Sequence, residues 1–462
     1  MNTKDIENVK HLYARAGFGI HYKELQQVKK MSLNKVVDKI FHDSSKYKPI
    51  DFIEKPKDQP QYSTLSAEER RERQRMANEQ TRELNIAFLN KMATDEAFLR
   101  EKMTLFLHGH FACRQQNAPY TIQQLNNIQR KNALGNFKTL TIEVSQSRAM
   151  LSFLNNQQNR KGKPNENFAR ELMELFTLGV GNYTENDVKA AARAFTGWMY
   201  NKEGEFEFRP KVHDDGVKKF FGKEGSFNGD DIMDMIFARK EAAYFLSKKM
   251  YRFFVNETPN ERHIQQMADL FYKKNYEIKP LLKFMFTSSW FYDDVNKGNK
   301  IKTPIEFIAG LNRQFYINYE NKAVLLRFQQ ALGQTLFYPP NVSGWPQGKD
   351  LIDSSSLMLR LKMPSTIINN GILEIQGKTD PDDEALIALA RKESKKVAQR
   401  IKATIDWDKF TAGIPSDINK KDLAAFLLRA EIKDNILQNI SDSNDLKTKV
   451  VQILSTPEYQ IC

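Results

Sequence analysis

Apolar residues return at spacings of three and four along much of the chain, and this period commits it to packed helices. Leu99, Met103, Phe106 and His110 keep the spacing, and similar stripes recur from about residue 120 to 156 and from 230 to 290. A helix with such a stripe must bury it against another element, so the predicted class is mainly α, a large multi-helix globular fold. A chain of 462 residues can bury a sizeable core in one unit or in two. Its 40% hydrophobic and 27% charged residues suit a folded chain and not a disordered one.

Breaks in the period divide the chain, which reads as one unit with four parts. N-terminal helices occupy 1–43, and a Ser- and Pro-rich loop with Pro49, Pro56 and Pro60 fills 44–64. A main helical core spans 65–364, and a C-terminal helical region of weaker pattern spans 365–462. Ser66-Ala67-Glu68-Glu69 starts a highly charged helix that runs to about Asp95. Near residues 197–222 the period changes, with Trp198, Tyr200, Phe206, Phe208, Phe220 and Phe221 set among polar residues and Gly204 at a turn. This predicts a small β-hairpin or three-stranded insert. Tyr338 to Gly348 holds too much Pro and Gly for regular structure and is a shaped loop.

Lys and Arg outnumber Asp and Glu by 70 to 57, a net charge of +13 that favours an anionic partner such as a polysaccharide, nucleic acid or phospholipid surface. The excess is spread in short clusters, as on an ordinary lysine-rich surface. Cys113 and Cys462 alone cannot build a disulfide framework or a thiolate zinc site. No stretch of about 18 apolar residues exists for a membrane span, and Met1 to Glu7 lacks the apolar core of a signal peptide. The expectation is a cytoplasmic protein, or an exported one if a leader has been trimmed.

The sharpest local signal is Pro164 to Gly179, a short helix with an Asn cap and a Gly stop. Helical geometry puts Asn167, Arg170, Glu171 and Glu174 on one face, beside an apolar stripe of Phe168, Leu172 and Leu175. Turned outward, Arg170 and Glu174 form an ordinary surface pair; turned inward, a desolvated carboxylate serves as acid or base. Thr184 and Asp187 have capping-box spacing for a second helix carrying Arg193, and Tyr183 and Arg193 are candidates for contacting an anionic substrate. His108-Gly109-His110 invites a metal reading. Residues two apart on a helix project about 200° apart, however, so both rings reach one ion only if Gly109 breaks the helix. Kept helical, His110 is a core histidine on the stripe. His213-Asp214 adds a polar pair after the insert, and His108, His110 and His213 joined by Glu171 or Glu174 would suit a divalent metal. No helical His-Glu-x-x-His, nucleophile elbow, P-loop or dinucleotide fingerprint is present.

Several blocks together resemble the bacterial proteins grouped as domain of unknown function 1800, over nearly the full length. They are His11 to Gly19, Leu99 to Met103 leading into His108-Gly109-His110-Phe111, Asn165 to Gly179 with Tyr183-Thr184, Ala194 to Trp198, His213-Asp214, Lys302 to Phe307, and Pro339 to Pro346. Leu107 departs from the family, whose members commonly carry an aromatic residue before the first His. The resemblance implies a common fold and a common polar site built from these blocks. It also implies a companion protein resembling exported sulfatases or phosphatases.

The leading expectation is an enzyme whose polar site comprises His108, His110, Asn167, Arg170, Glu171, Glu174, Tyr183, Arg193 and His213, with metal-assisted hydrolysis or elimination on an anionic polymer as its chemistry. Asp214, Asn341 and Trp345 are expected to contact substrate or partner. The competing class is a non-catalytic binding or partner protein whose polar network is structural. A nucleic-acid binder is third, on charge alone.

Overall fold

In the computed structural model, which describes residues 3–56, 64–115, 118–373, 399–442 and 445–462, the helix Phe98–His110 is buried at every residue except Gly109. Leu99, Met103, Phe106 and His110 lie in the core as their spacing predicts, but the helix is enclosed on all sides. Its three consecutive charged residues must therefore find partners inside the protein.

Each finds a different one. Arg100 donates to the carbonyls of Arg130 (2.8 Å) and Lys131 (3.1 Å) at the end of the helix Pro119–Asn132, and to Ser44 and Ser45 just past the helix Leu33–Asp43. It thus fills carbonyls that a helix end leaves without an intrahelical donor. Glu101 accepts Arg130 Nε on both carboxylate oxygens at 3.0 Å, with the Arg130 guanidinium 4.9 Å from the Phe88 ring centroid. Lys102 donates to Glu306 of the helix Pro304–Phe315, and Lys300 donates to both oxygens of the same carboxylate at 2.9 and 2.8 Å. Burial pushes the Glu306 carboxyl up, but the two ammonium groups outweigh it and hold it well below the usual carboxylate range.

The surrounding helices start where the sequence says. Ser66 and Glu69 form a reciprocal capping box on Ala67–Thr94, whose second half buries Leu84, Phe88, Leu89 and Met92 against the centre. Thr303 and Glu306 cap Pro304–Phe315 in the same way, so one carboxylate serves both the cap and the buried charge cluster. Helices Lys240–Phe254 and Glu261–Lys273 pack on one another behind the site.

The predicted β insert consists of two separate antiparallel hairpins. Strand β1 (Trp198–Tyr200) pairs with β2 (Phe206–Phe208), Trp198 opposite Phe208, around the turn that holds Gly204 at φ +82°. Strand β3 (Lys218–Phe220) pairs with β4 (Lys223–Gly225), which carries the insert beyond residue 222. The loop from 334 to 347 has no helix or strand, as its composition predicts. It presses so closely on the central helix that a Cβ on Gly344 would lie 2.6 Å from the Gly109 carbonyl. The C-terminal region carries helices such as Lys420–Leu427 and Leu446–Leu454. It also adds a pairing that periodicity does not foretell, Ile317–Tyr319 with Ala403–Ile405. Residues 374–398 of the region, and 57–63 of the expected loop, lie outside the described residues. Among the described residues no helix is long and apolar enough to cross a membrane.

Removing one partner of a fully buried ion pair costs about 3–5 kcal/mol, because the other charge stays buried alone. Urea unfolding should show Arg130→Met losing stability of that order. The double variant Glu101→Leu/Arg130→Met should recover much of the loss; a single variant within 1 kcal/mol of the parent, roughly the noise of surface substitutions, would contradict this role.

Candidate functional site

The segment expected as one capped helix changes its winding halfway. Asn165 Oδ1 accepts the Asn167 amide at 3.0 Å, and an α-helix runs from Asn167 to Glu171. From Leu172 to Thr177 it continues as a π-helix, and Gly179 ends it at φ +81°. Side chains bond to the carbonyls of this wide turn: Thr177 Oγ1 donates to Leu172 at 2.6 Å, Lys249 Nζ to Leu175 at 3.1 Å, and His110 Nε2 to Phe176 at 3.0 Å.

The changed winding also changes the partners on the polar face. Arg170 does not pair with Glu174, as a simple surface helix would have it. It pairs with Glu166 at 3.1 Å and, through two hydrogen bonds of 2.7 and 2.8 Å, with Glu185. Glu174 instead accepts the Tyr183 hydroxyl at 2.6 Å. Partial burial and then the neighbouring charge of Glu174 raise the Glu171 carboxyl, against the pull of Arg170. Burial and the hydrogen bond to Glu174 raise the Tyr183 phenol, so it stays protonated. Asn167 is exposed and donates to the Leu154 carbonyl at 3.3 Å.

The histidines do other work. The helix continues through Gly109, so His108 and His110 point to opposite sides. His108 Nε2 accepts the amide of Phe337, a residue at φ +69°, and its ring lies 5.2 Å from that of Trp345. Trp345, expected as a contact residue, is thereby only 8% exposed, while Asn341 stays at the surface and accepts the Ser343 amide. His110 lies among Phe106, Phe111, Phe137 and Phe176. His213 Nδ1 donates to the Thr196 carbonyl at 2.8 Å and ties the insert to the core. Among the described residues no three His, Cys, Asp or Glu side chains are placed to hold one ion. The expected set of His108, His110, His213, Glu171 and Glu174 is therefore not assembled, because the fold uses the three rings to bind backbone groups in three different places.

What the structure does assemble lies beside Tyr183. A cleft of about 720 Å³ opens between the loop 181–184, the helix Glu185–Ala194 and the β3–β4 turn. Thr184 and Asp187 cap that helix reciprocally, as their spacing predicts, and Asp187 Oδ1 also accepts the Phe221 amide at 2.9 Å. Tyr183, Lys189, Arg193, Lys219, Phe221 and Arg239 line the cleft. Arg193 holds Asp214 through Nε at 2.7 Å and Nη2 at 3.1 Å, and the hydrogen bond to Arg193 keeps the Asp214 carboxyl well below its usual range. Four cationic side chains and one carboxylate, Asp187, line the cleft; Arg193, Lys219 and Arg239 also have acidic partners outside the lining, Asp214, Glu224 at 3.6 Å and Glu241. Lys189 precedes Arg193 by four residues, a spacing that marks the shared face in the sequence; Lys219, Phe221 and Arg239 arrive from the insert and beyond, with no local signal.

The model of the family described as "Protein of unknown function (DUF1800)" matches residues 11–461, and the chain belongs to that family. No curated protein and no solved structure matches it.

His108 and His110, both buried, are held neutral. Burial and then the charge of Arg130 lower His108 to about 3, and burial followed by Lys249 takes His110 well below its usual value. The unfolded chain therefore binds protons that the folded chain refuses, and stability falls as pH drops below the unfolded value of about 6.5. Each such histidine contributes a slope of about 1.4 kcal/mol per pH unit. His108→Gln keeps an acceptor for Phe337, so it should remove one proton from that slope between pH 6 and 4. Unfolding curves with the same slope in parent and variant would show that His108 is protonated in the native state.

Proposed function

We propose that the chain is an enzyme that binds an anionic substrate in the cleft beside Tyr183 and uses Glu174, acting through Tyr183, as its general base. The observation that carries this reading is the 2.6 Å hydrogen bond from Tyr183 to Glu174 at the wall of a cleft lined by Lys189, Arg193, Lys219 and Arg239. The cationic lining attracts and neutralises a negatively charged group.

A phenol kept protonated beside a carboxylate is a poor base alone but a good relay. As the substrate or an attacking water gives a proton to Tyr183 Oη, Tyr183 passes its own to Glu174, and no phenolate forms next to the carboxylate. In hydrolysis the water oxygen bonds to the electrophilic centre, the bond from that centre to the leaving group breaks, and the proton held by Glu174 returns by the same path to the leaving group. In elimination the relay takes a proton from carbon instead, the C–H electrons form the double bond as the bond to the leaving group breaks, and the proton held by Glu174 returns to that group. Arg170, closed by Glu166 and Glu185, is a positioning residue that holds the Tyr183 side of the helix Glu185–Ala194 against the π-helix.

A non-catalytic binding protein is the competing reading, favoured by the ion pairs that Arg193 and Arg170 already make with Asp214 and Glu185.

The test is a turnover screen over phosphorylated, sulfated and uronate-bearing compounds, followed by variants. Tyr183→Phe and Glu174→Gln should each lower kcat by about 10²–10⁴-fold, the usual size of general base catalysis, with little change in substrate binding. Lys189→Ala and Lys219→Ala should weaken binding and flatten its dependence on salt. Unchanged turnover in Tyr183→Phe would leave the binding protein as the better account.

A further inference from the structure

The wall of the cleft contains a residue in an unfavourable conformation. Strands β3 and β4 are joined by two residues, Phe221 at φ +47° and Gly222 at φ +78°. Positive φ at both positions is the pattern of a type I′ turn, which favours Asn-Gly or Asp-Gly, and a bulky side chain there is strained. The surroundings hold it. The Phe221 amide donates to Asp187, its ring centroid lies 4.0 Å from that of Phe220, and the Arg239 guanidinium lies 4.4 Å from it. Arg239 donates through Nη2 to Glu241 at 2.9 Å, whereas its buried Nε has no hydrogen-bond partner among the described residues. Strain kept in place by its surroundings is a reason to ask what the side chain does.

Phe221 and Arg239 both line the cleft that Lys189, Arg193 and Lys219 make cationic. The stacked ring and guanidinium add a flat π surface to a site for negative charge, and such surfaces receive planar bases. A simple oxyanion uses the cations and leaves the stack idle. A ligand with anionic groups at one end and a planar ring at the other uses both, and a volume of about 720 Å³ accommodates one.

Resting on the anionic-substrate reading above, we infer that the ligand is a nucleoside phosphate, its base against the Phe221 and Arg239 stack and its phosphates among Lys189, Arg193 and Lys219.

Titration calorimetry on the full chain at low salt, with pyrophosphate, ribose 5-diphosphate, ADP and a four-residue oligoadenylate, tests this. ADP should bind at least about 10-fold more tightly than ribose 5-diphosphate, which carries the same phosphates without the base, since base stacking on an aromatic or guanidinium plane supplies that much. In Phe221→Asn, whose new residue suits the turn, the ratio should fall to near one with pyrophosphate binding retained. Arg239→Lys, which keeps the charge and removes the flat face, should lower the ratio as well and serves if Phe221→Asn does not fold. Oligoadenylate binding more tightly than ADP would support a strand as the source of the nucleotide; ADP binding equally or better would support the free compound. Pyrophosphate binding with no preference for ADP over ribose 5-diphosphate would overturn this inference alone. No binding of any of these anions would overturn it together with the anionic-substrate reading.

Discussion

Three adjacent charges on a helix without a solvent face decide how this protein is put together. Arg100, Glu101 and Lys102 point in different directions from the centre, and none can reach water. A buried charge without a partner is far more costly than a lost surface contact, so each one fixes a neighbour. Arg100 fixes two helix ends, Glu101 fixes Arg130 within Pro119–Asn132, and Lys102 fixes Glu306 at the start of Pro304–Phe315. Apolar packing alone would tolerate a small rotation of the central helix. These hydrogen bonds specify its orientation, and with it the positions of His108 and His110 near its end.

From that end the order passes outward to the candidate site. His110 reaches the Phe176 carbonyl, and Lys249 reaches that of Leu175 from the helix behind. Without such donors a π-turn would leave buried carbonyls unsatisfied, and an α-helix would be the better winding. The π-turn in turn sets Glu174 against Tyr183 and leaves Arg170 to Glu185. A residue whose type suggests metal chemistry thus contributes to the site at one remove, by shaping the backbone that carries the carboxylate.

Local features were legible in the sequence because short-range rules govern them. The Ser66 and Thr184 capping boxes, the glycine stop at Gly179, the turn at Gly204 and the burial of the Leu99 to His110 stripe each depend on residues within about one or two turns. The histidines were harder. Residue type and spacing allowed both a ligand and a core group, and the choice depended on Phe337, Phe176 and Thr196, of which two come from other parts of the chain. The π-winding was invisible for the same reason, since its support comes from His110 and Lys249. Tyr183 and Arg193 were named from local sequence, yet the cleft that joins them needs Lys219, Phe221 and Arg239 from beyond the helix.

The contrast between the interior and the cleft bears on where function resides. Inside, every member of the Arg100, Glu101 and Lys102 triplet is matched by a partner, and the resulting network is rigid. At the cleft the rules are broken locally: a phenylalanine occupies a turn position suited to asparagine, positive side chains outnumber negative ones, and a phenol sits on a half-buried carboxylate. The Phe221 amide on Asp187 and the Tyr183 hydroxyl on Glu174 offset only part of the cost of these departures. In natural proteins such departures from local consistency concentrate at functional or strained positions. They share one cleft, and the buried network reaches it through His110 and Lys249, which bond to the π-turn that carries Glu174 to Tyr183.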